Sequence, residues 1–165
     1  MGPGRRYRSP GHGRHAPCYP VRMPKISRFE DLVAWQLSME LADLVDAMSS
    51  GGPASRNKSF CDQIQSASAK AAPQIAEGFL RFRAKESAYY YRVAKASLGE
   101  TQTHRLRGKR RNYWSEEVFK KAWDVSVGAL NTTSGLLRSR LEQIEREEAE
   151  KRRKKTSTAT KANQP

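Results

Sequence analysis

The sequence predicts an all-α protein: an antiparallel up-down-up-down four-helix bundle over residues 25–148, flanked by disordered basic tails at 1–24 and 149–165. Three observations carry this expectation. Apolar residues recur at three- and four-residue spacing in four separate segments, the period of one helix face. No segment shows the alternation of a half-buried strand. The connections between periodic segments are short, which suits helices that fold back on their neighbours.

The first helix is predicted to open at Ser27, where Ser27 and Glu30 fit a capping box and Asp31 adds negative charge near the positive helix end. Phe29, Val33, Leu37, Leu41, Leu44 and Met48 form its face, and Trp35, Met39 and Ala42 a second apolar line. The stretch SSGGPAS (49–55) ends it. A second helix is expected from about Ser59 to Phe82, with Phe60, Ile64, Ala67, Ala71, Ile75 and Phe79 inward. Pro73 inside that pattern lacks a backbone donor and crowds the preceding turn, so a kink is expected near Ala69–Pro73. The third helix runs from about Lys85 to Arg107, with Tyr90, Val93, Ala94, Ser97, Leu98 and Thr101 inward, and closes through Gly108. Tyr89, Tyr90 and Tyr91 point about 100° apart on a helix, so at least one faces outward. Ser115 caps the fourth helix, with Glu116 and Glu117 in its first turn. Its period continues from Phe119 through Trp123, Ser126, Leu130, Leu137 and Leu141 to Ile144. Beyond it, Glu145–Lys155 is charge alone, and 156–165 read as a polar disordered tail.

The apolar fraction, 37%, is low for a globular chain, and the deficit falls in the ends. Twelve of the formal +14 charges sit in residues 1–25 and 151–165, which contain no acid, leaving +2 for residues 26–150. Within that middle, residues 81–111 carry +8, whereas 28–48 carry −4. Opposed signs on one domain suit self-assembly as well as polyanion binding. For the first 24 residues two readings compete: a basic arm, or an upstream start with Met23 as the true initiator. Cys18 and Cys61 make no disulfide framework, so a reducing, cytoplasmic compartment is expected. No apolar run reaches the ~18 residues that span a bilayer, and no membrane partner is expected.

Five segments then acquire meaning together: Phe29-Glu30-Asp31-Leu32 with Trp35-Gln36; Ile75-Ala76-Glu77-Gly78-Phe79; Lys85-Glu86; Ala94-Lys95 with Ser97-Leu98; and Tyr113 to Phe119. In this order and spacing they resemble the "four helix bundle protein" family, first noted in intervening sequences of bacterial 23S ribosomal RNA. The resemblance covers roughly Phe29 to Leu141. It implies an up-down bundle assembled as a homopentamer around a central channel. It also implies kinship with the accessory variability determinant of diversity-generating retroelements, a basic bundle that binds a reverse transcriptase and nucleic acid. The chain departs in detail. Pro73 lies one position nearer the Ile75–Gly78 motif than usual, and the loop 105–114 (RLRGKRRNYW) is more cationic than typical.

No catalytic constellation is recognised, and no enzyme activity or cofactor is expected. Glu100 and His104 share a helix face at i, i+4, but a di-iron bundle needs Glu-x-x-His on two helices and two further glutamates. His12, His15 and Cys18 lack a fourth ligand. Glu77 is read as an i, i+4 partner of Arg81.

What remains is a cationic set: Arg81, Arg83, Lys85, Arg92, Lys95, Arg105, Arg107, Lys109, Arg110 and Arg111. In an antiparallel bundle this set makes a basic patch at each end; within Gln74–Glu100, Arg81, Arg83 and Lys85 are the favoured functional group. Arginine's planar fork suits phosphate. Tyr113 and Trp114 are read two ways, as stackers on unpaired bases or as packing at the entry to the fourth helix. The tail 151–155 (KRRKK) adds phosphate contacts or simply solubilises. The expected partners are RNA or DNA bound without sequence specificity, further copies of the chain, and a reverse transcriptase. An adaptor for an acidic protein is the alternative.

Overall fold

The computed structural model describes residues 26–162, with side-chain surroundings through residue 156. The basic N-terminal segment 1–24, with His12, His15, Cys18 and the Met23 question, lies outside the described residues. All regular structure among the described residues is helical: α1 (Val33–Ser49), α2 (Lys58–Ala69), α3 (Ala71–Leu80), α4 (Ala84–Arg110) and α5 (Glu116–Ala162). Short 3-10 turns precede α1 at Phe29–Asp31 and α2 at Ala54–Arg56. The helix α1 packs on α2, α3 and α5, and α4 packs on the same three.

The capping box at Ser27 does not form. Phe29–Asp31 tightens into a 3-10 turn, Leu32 is extended, and Glu30 pairs with Arg28 at 2.9 Å instead. Burial explains the difference: the turn drops Leu32 into a cluster with Ala34, Ile75, Tyr91 and Ala94. The later start shifts the inward face of α1 to Ala34, Ser38, Leu41, Val45 and Met48, and Val33 points out.

Asn57 caps α2, its Oδ1 accepting from the Phe60 amide at 3.1 Å. The expected kink is a break. The helix divides at Lys70, and Pro73 sits in the first turn of α3, where its missing amide costs little. Then α3 stops at Leu80, two residues short of expectation, because Arg81 is extended and leaves Phe82 in solvent.

On α4 the inward tyrosine is Tyr91, not Tyr90; Tyr89 is exposed and Tyr90 half-buried. Nor does Gly108 end this helix. Asn112 takes the left-handed conformation (φ 54°), Tyr113 N donates to Gly108 O at 3.1 Å and Asn112 N to Lys109 O at 3.0 Å. That is a Schellman closure with Asn in the usual glycine place. Gly108 serves another need, since a Cβ there would overlap the Trp114 ring.

Ser115 caps α5 as expected, accepting from the Val118 amide at 3.3 Å. Phe119, Ala122, Ser126, Ala129 and Thr133 form its buried line. The helix continues through Ala162, past the expected tail boundary at 149. Its charged stretch is rich in good helix formers and carries the Glu150–Lys154 pair at 2.6 Å.

Candidate nucleic-acid interface

The ten predicted cations separate into four environments. Arg105 is a correction: it is fully buried and the largest side chain so enclosed, so it offers no surface to a phosphate. Its Nη1 donates to Ser126 Oγ at 2.8 Å and its Nη2 to Phe119 O at 2.6 Å. The guanidinium lies 5.2 Å from the Phe119 ring centre and 5.7 Å from that of Trp123. Burial pulls its pKa down to about 10, against the weaker pull of Asp124.

Arg81, Arg83 and Lys85, the favoured group, each meet a carboxylate. Arg81 pairs with Glu77 on the preceding turn, as expected, and also donates to Tyr90 Oη at 3.0 Å. Arg83 lies 3.9 Å from Glu86, and Lys85 bonds Glu148 of α5 at 2.7 Å. Three cations are therefore matched by three acids at this turn. Arg92 and Lys95 stand exposed along α4, with no ion pair among the described residues.

The α4–α5 end differs. Lys109 pairs with Glu116 at 2.8 Å and lies 4.4 Å from the Phe119 ring centre. Arg107, Arg110 and Arg111 are exposed without carboxylate partners among the described residues. Arg111 Nη1 approaches Tyr113 Oη at 3.5 Å, and that oxygen also accepts from Asn57 Nδ2 at 2.9 Å. The Asn57 hydrogen bond, then that of Arg111, lowers the phenol's pKa. Asn57 is flanked by exposed Arg56 and Lys58. Lys58 in turn lines an open groove of about 760 Å³ with Ser59, Asp62, Gln63, Ser66, Glu100 and His104. Arg107 Nη1 lies 3.4 Å from His104 Nδ1. Folding thus gathers Arg56, Lys58, Arg107, Arg110 and Arg111 into a basic collar.

Arg56 and Lys58 were not identified from sequence. They sit between a Gly/Pro loop and a helix start, and only the Asn57–Tyr113 contact across 56 residues reveals where they go. Tyr113 and Trp114 take the packing role: Trp114 Nε1 donates to Met48 O at 2.9 Å, and the Phe60 ring lies 5.1 Å and 5.8 Å from the two rings.

Glu100 and His104 do share a face, 3.9 Å apart. Burial, and then Arg107, lowers the His104 pKa, with Glu100 opposing. Among the described residues no three His, Cys, Asp or Glu side chains cluster as metal ligands. None of the described helices is long and apolar enough to cross a membrane.

Comparison with known families matches the chain to the family described as 23S rRNA-intervening sequence protein, over residues 30–126, from the turn before α1 into α5. No curated protein matches the chain.

Proposed function

We propose, for a chain that belongs to the 23S rRNA-intervening sequence protein family, a non-enzymatic up-down-up-down bundle that binds RNA or DNA in the cytoplasm and assembles with copies of itself. The homopentamer is the assembly the family resemblance implies. The observation that supports nucleic-acid binding is the collar. Cations from two distant stretches meet at one end, and Arg107, Arg110 and Arg111 form no ion pair with a carboxylate among the described residues. Arginine forks bind phosphate oxygens bidentately, and such contacts displace counterions whatever the base sequence. Repetition of the collar in an assembly would strengthen a weak site by avidity.

Fluorescence anisotropy with single-stranded DNA and a ribosomal RNA fragment, titrated at several salt concentrations, tests this. Affinity falls with salt by about 0.7 log units per log unit for each phosphate neutralised on a single strand. The triple variant Arg107→Gln/Arg110→Gln/Arg111→Gln flattens that slope by about 2. Absence of binding at low salt rejects the proposal.

A second reading, a protein-interaction adaptor such as a reverse-transcriptase accessory protein, draws on the opposite end. Phe82 is completely exposed and Leu80 is 68% exposed, beside cations already matched by carboxylates. Such an aromatic, charge-balanced tip resembles the centre of a protein interface more than a phosphate site. Partners retained in a pull-down after nuclease treatment favour it, and loss of every partner counts against it.

A further inference from the structure

We infer that the outward faces of α1 and α4 are two complementary halves of a head-to-tail contact between copies of this chain; the inference rests on the self-assembly reading above. Because α1 and α4 each pack against α2, α3 and α5, their free faces look away from one another. The two faces carry opposite charge. Glu40, Asp43 and Asp46 are exposed on α1, and Arg92 and Lys95 on α4. None of the five forms an ion pair among the described residues. This separates Arg92 and Lys95 from the matched cations at the α3–α4 turn.

Each face also exposes a large apolar side chain beside its charges: Met39 (39%) on α1 and Tyr89 (59%) on α4. A contact that removes these from water gains apolar burial, and the charges set the partner and register. Like faces repel, acid against acid and base against base, so a symmetric pairing of either face with itself is disfavoured. The acidic face of one copy meets the basic face of the next, and an open chain of copies keeps one unsatisfied half at each of its two ends. Such a contact repeats until rotation closes a ring.

Four full-length proteins test this: the wild type, Glu40→Lys/Asp43→Lys, Arg92→Glu/Lys95→Glu, and a charge-swapped chain carrying all four substitutions. All four sites are exposed, and circular dichroism checks that each protein folds. Mass is read by light scattering after size exclusion at matched concentration and low salt. The wild type is expected to assemble. Each double reversal weakens assembly by about tenfold or more, and the swapped chain recovers it. A wild type that stays monomeric at its highest soluble concentration overturns the self-assembly reading and this inference with it. A wild type that assembles, with reversals that leave its mass unchanged, overturns the inference alone. The inference also fails if both reversals weaken assembly but the swapped chain does not recover. It fails too if Arg92→Glu/Lys95→Glu loses only nucleic-acid affinity at unchanged mass.

Discussion

Replacing Arg105 separates two ways in which a buried guanidinium contributes to a helical core. Burial that lowers the pKa from the ordinary arginine value to about 10 corresponds to a cost of about 3 kcal/mol for holding the charge. This cost is fully present at neutral pH. It declines only as pH rises above about 10 towards the ordinary arginine pKa, because there the unfolded chain holds the proton that the folded chain has lost. Against it stand two hydrogen bonds from a charged donor, at about 1.5–3 kcal/mol each, and ring contacts at about 0.5–2 kcal/mol. The buried Nε finds no hydrogen-bond partner, which adds about 1–3 kcal/mol to the cost, so the terms nearly cancel and what the side chain chiefly supplies is volume. The acceptors also tolerate its removal. Ser126 Oγ still donates to Trp123 O at 2.8 Å and accepts from Gln102 Nε2 at 3.2 Å. Arg105→Met, which retains most of the stem, is therefore expected within about 1.5 kcal/mol of wild type. Arg105→Ala leaves a cavity beneath Phe119 and Trp123 and costs about 3 kcal/mol. For a chain of this size that lowers Tm by about 6–12 °C. Urea and thermal unfolding followed by circular dichroism, at one fixed protein concentration throughout, provide the comparison. If Met destabilises as much as Ala, the hydrogen bonds contribute net stability and the cancellation is wrong. If Ala costs under about 1 kcal/mol, the side chain does not fill the core.

The remaining predictions concern His104 and the glycines. Because the folded-state pKa of His104 lies below its ordinary 6.5, the folded protein binds fewer protons, and stability rises with pH across that interval. Chemical denaturation from pH 7 down to 5.5 should show a loss of stability that His104→Gln abolishes, and a flat wild-type profile would contradict it; the lowered carboxylates Glu30, Glu148 and Glu150 lose their contribution mainly at lower pH, as the unfolded chain's carboxylates protonate. Gly108→Ala forces the Trp114 ring aside, and Gly78→Ala brings a Cβ within 2.6 Å of Tyr91 Cε1; each should cost about 1–3 kcal/mol in urea unfolding. Gly99→Ala meets nothing within 4 Å and should stabilise by about 0.5–1 kcal/mol, an opposite sign that makes it the internal control.

Features governed by local rules were legible in the sequence. Ser115 caps its helix, Pro73 coincides with a break, Glu77 pairs with Arg81, and the family motifs correspond to a matched family. Features decided by a distant neighbour were not. Three adjacent tyrosines look alike to periodicity; Tyr91 is the buried one because its ring lies against Gly78 on α3. The same holds at Leu32, where the cluster with Ile75 and Tyr91 overrides a sound capping box. Arg105 falls between these cases. It continues the stripe Ala94, Leu98, Thr101 at inward spacing, so its position announced burial while its charge argued for the surface. The aromatic shelf of Phe119 and Trp123, contributed by the next helix, decided the matter.

The residues that read as base-stackers have another bearing on the basic collar. Without a side chain at Gly108, the Trp114 ring can lie against α4, and its Nε1 then reaches Met48 O at the end of α1. That placement turns Tyr113 towards Asn57, so the start of α2 and the end of α4 are held together by one phenol oxygen. Arg56 and Lys58 flank one side of this bond and Arg111 the other. Like charges brought this close repel, and an unsupported loop would separate them. Here the repulsion is carried by Phe60, Tyr113 and Trp114, whose rings pack within about 6 Å of one another. At the α3–α4 turn Arg81 also lies over a ring, 5.0 Å from the centre of Tyr90, but there each of the three cations meets a glutamate as well. The two ends thus differ in their carboxylates and not in their rings. At the α4–α5 end Arg107, Arg110 and Arg111 keep no carboxylate partner among the described residues.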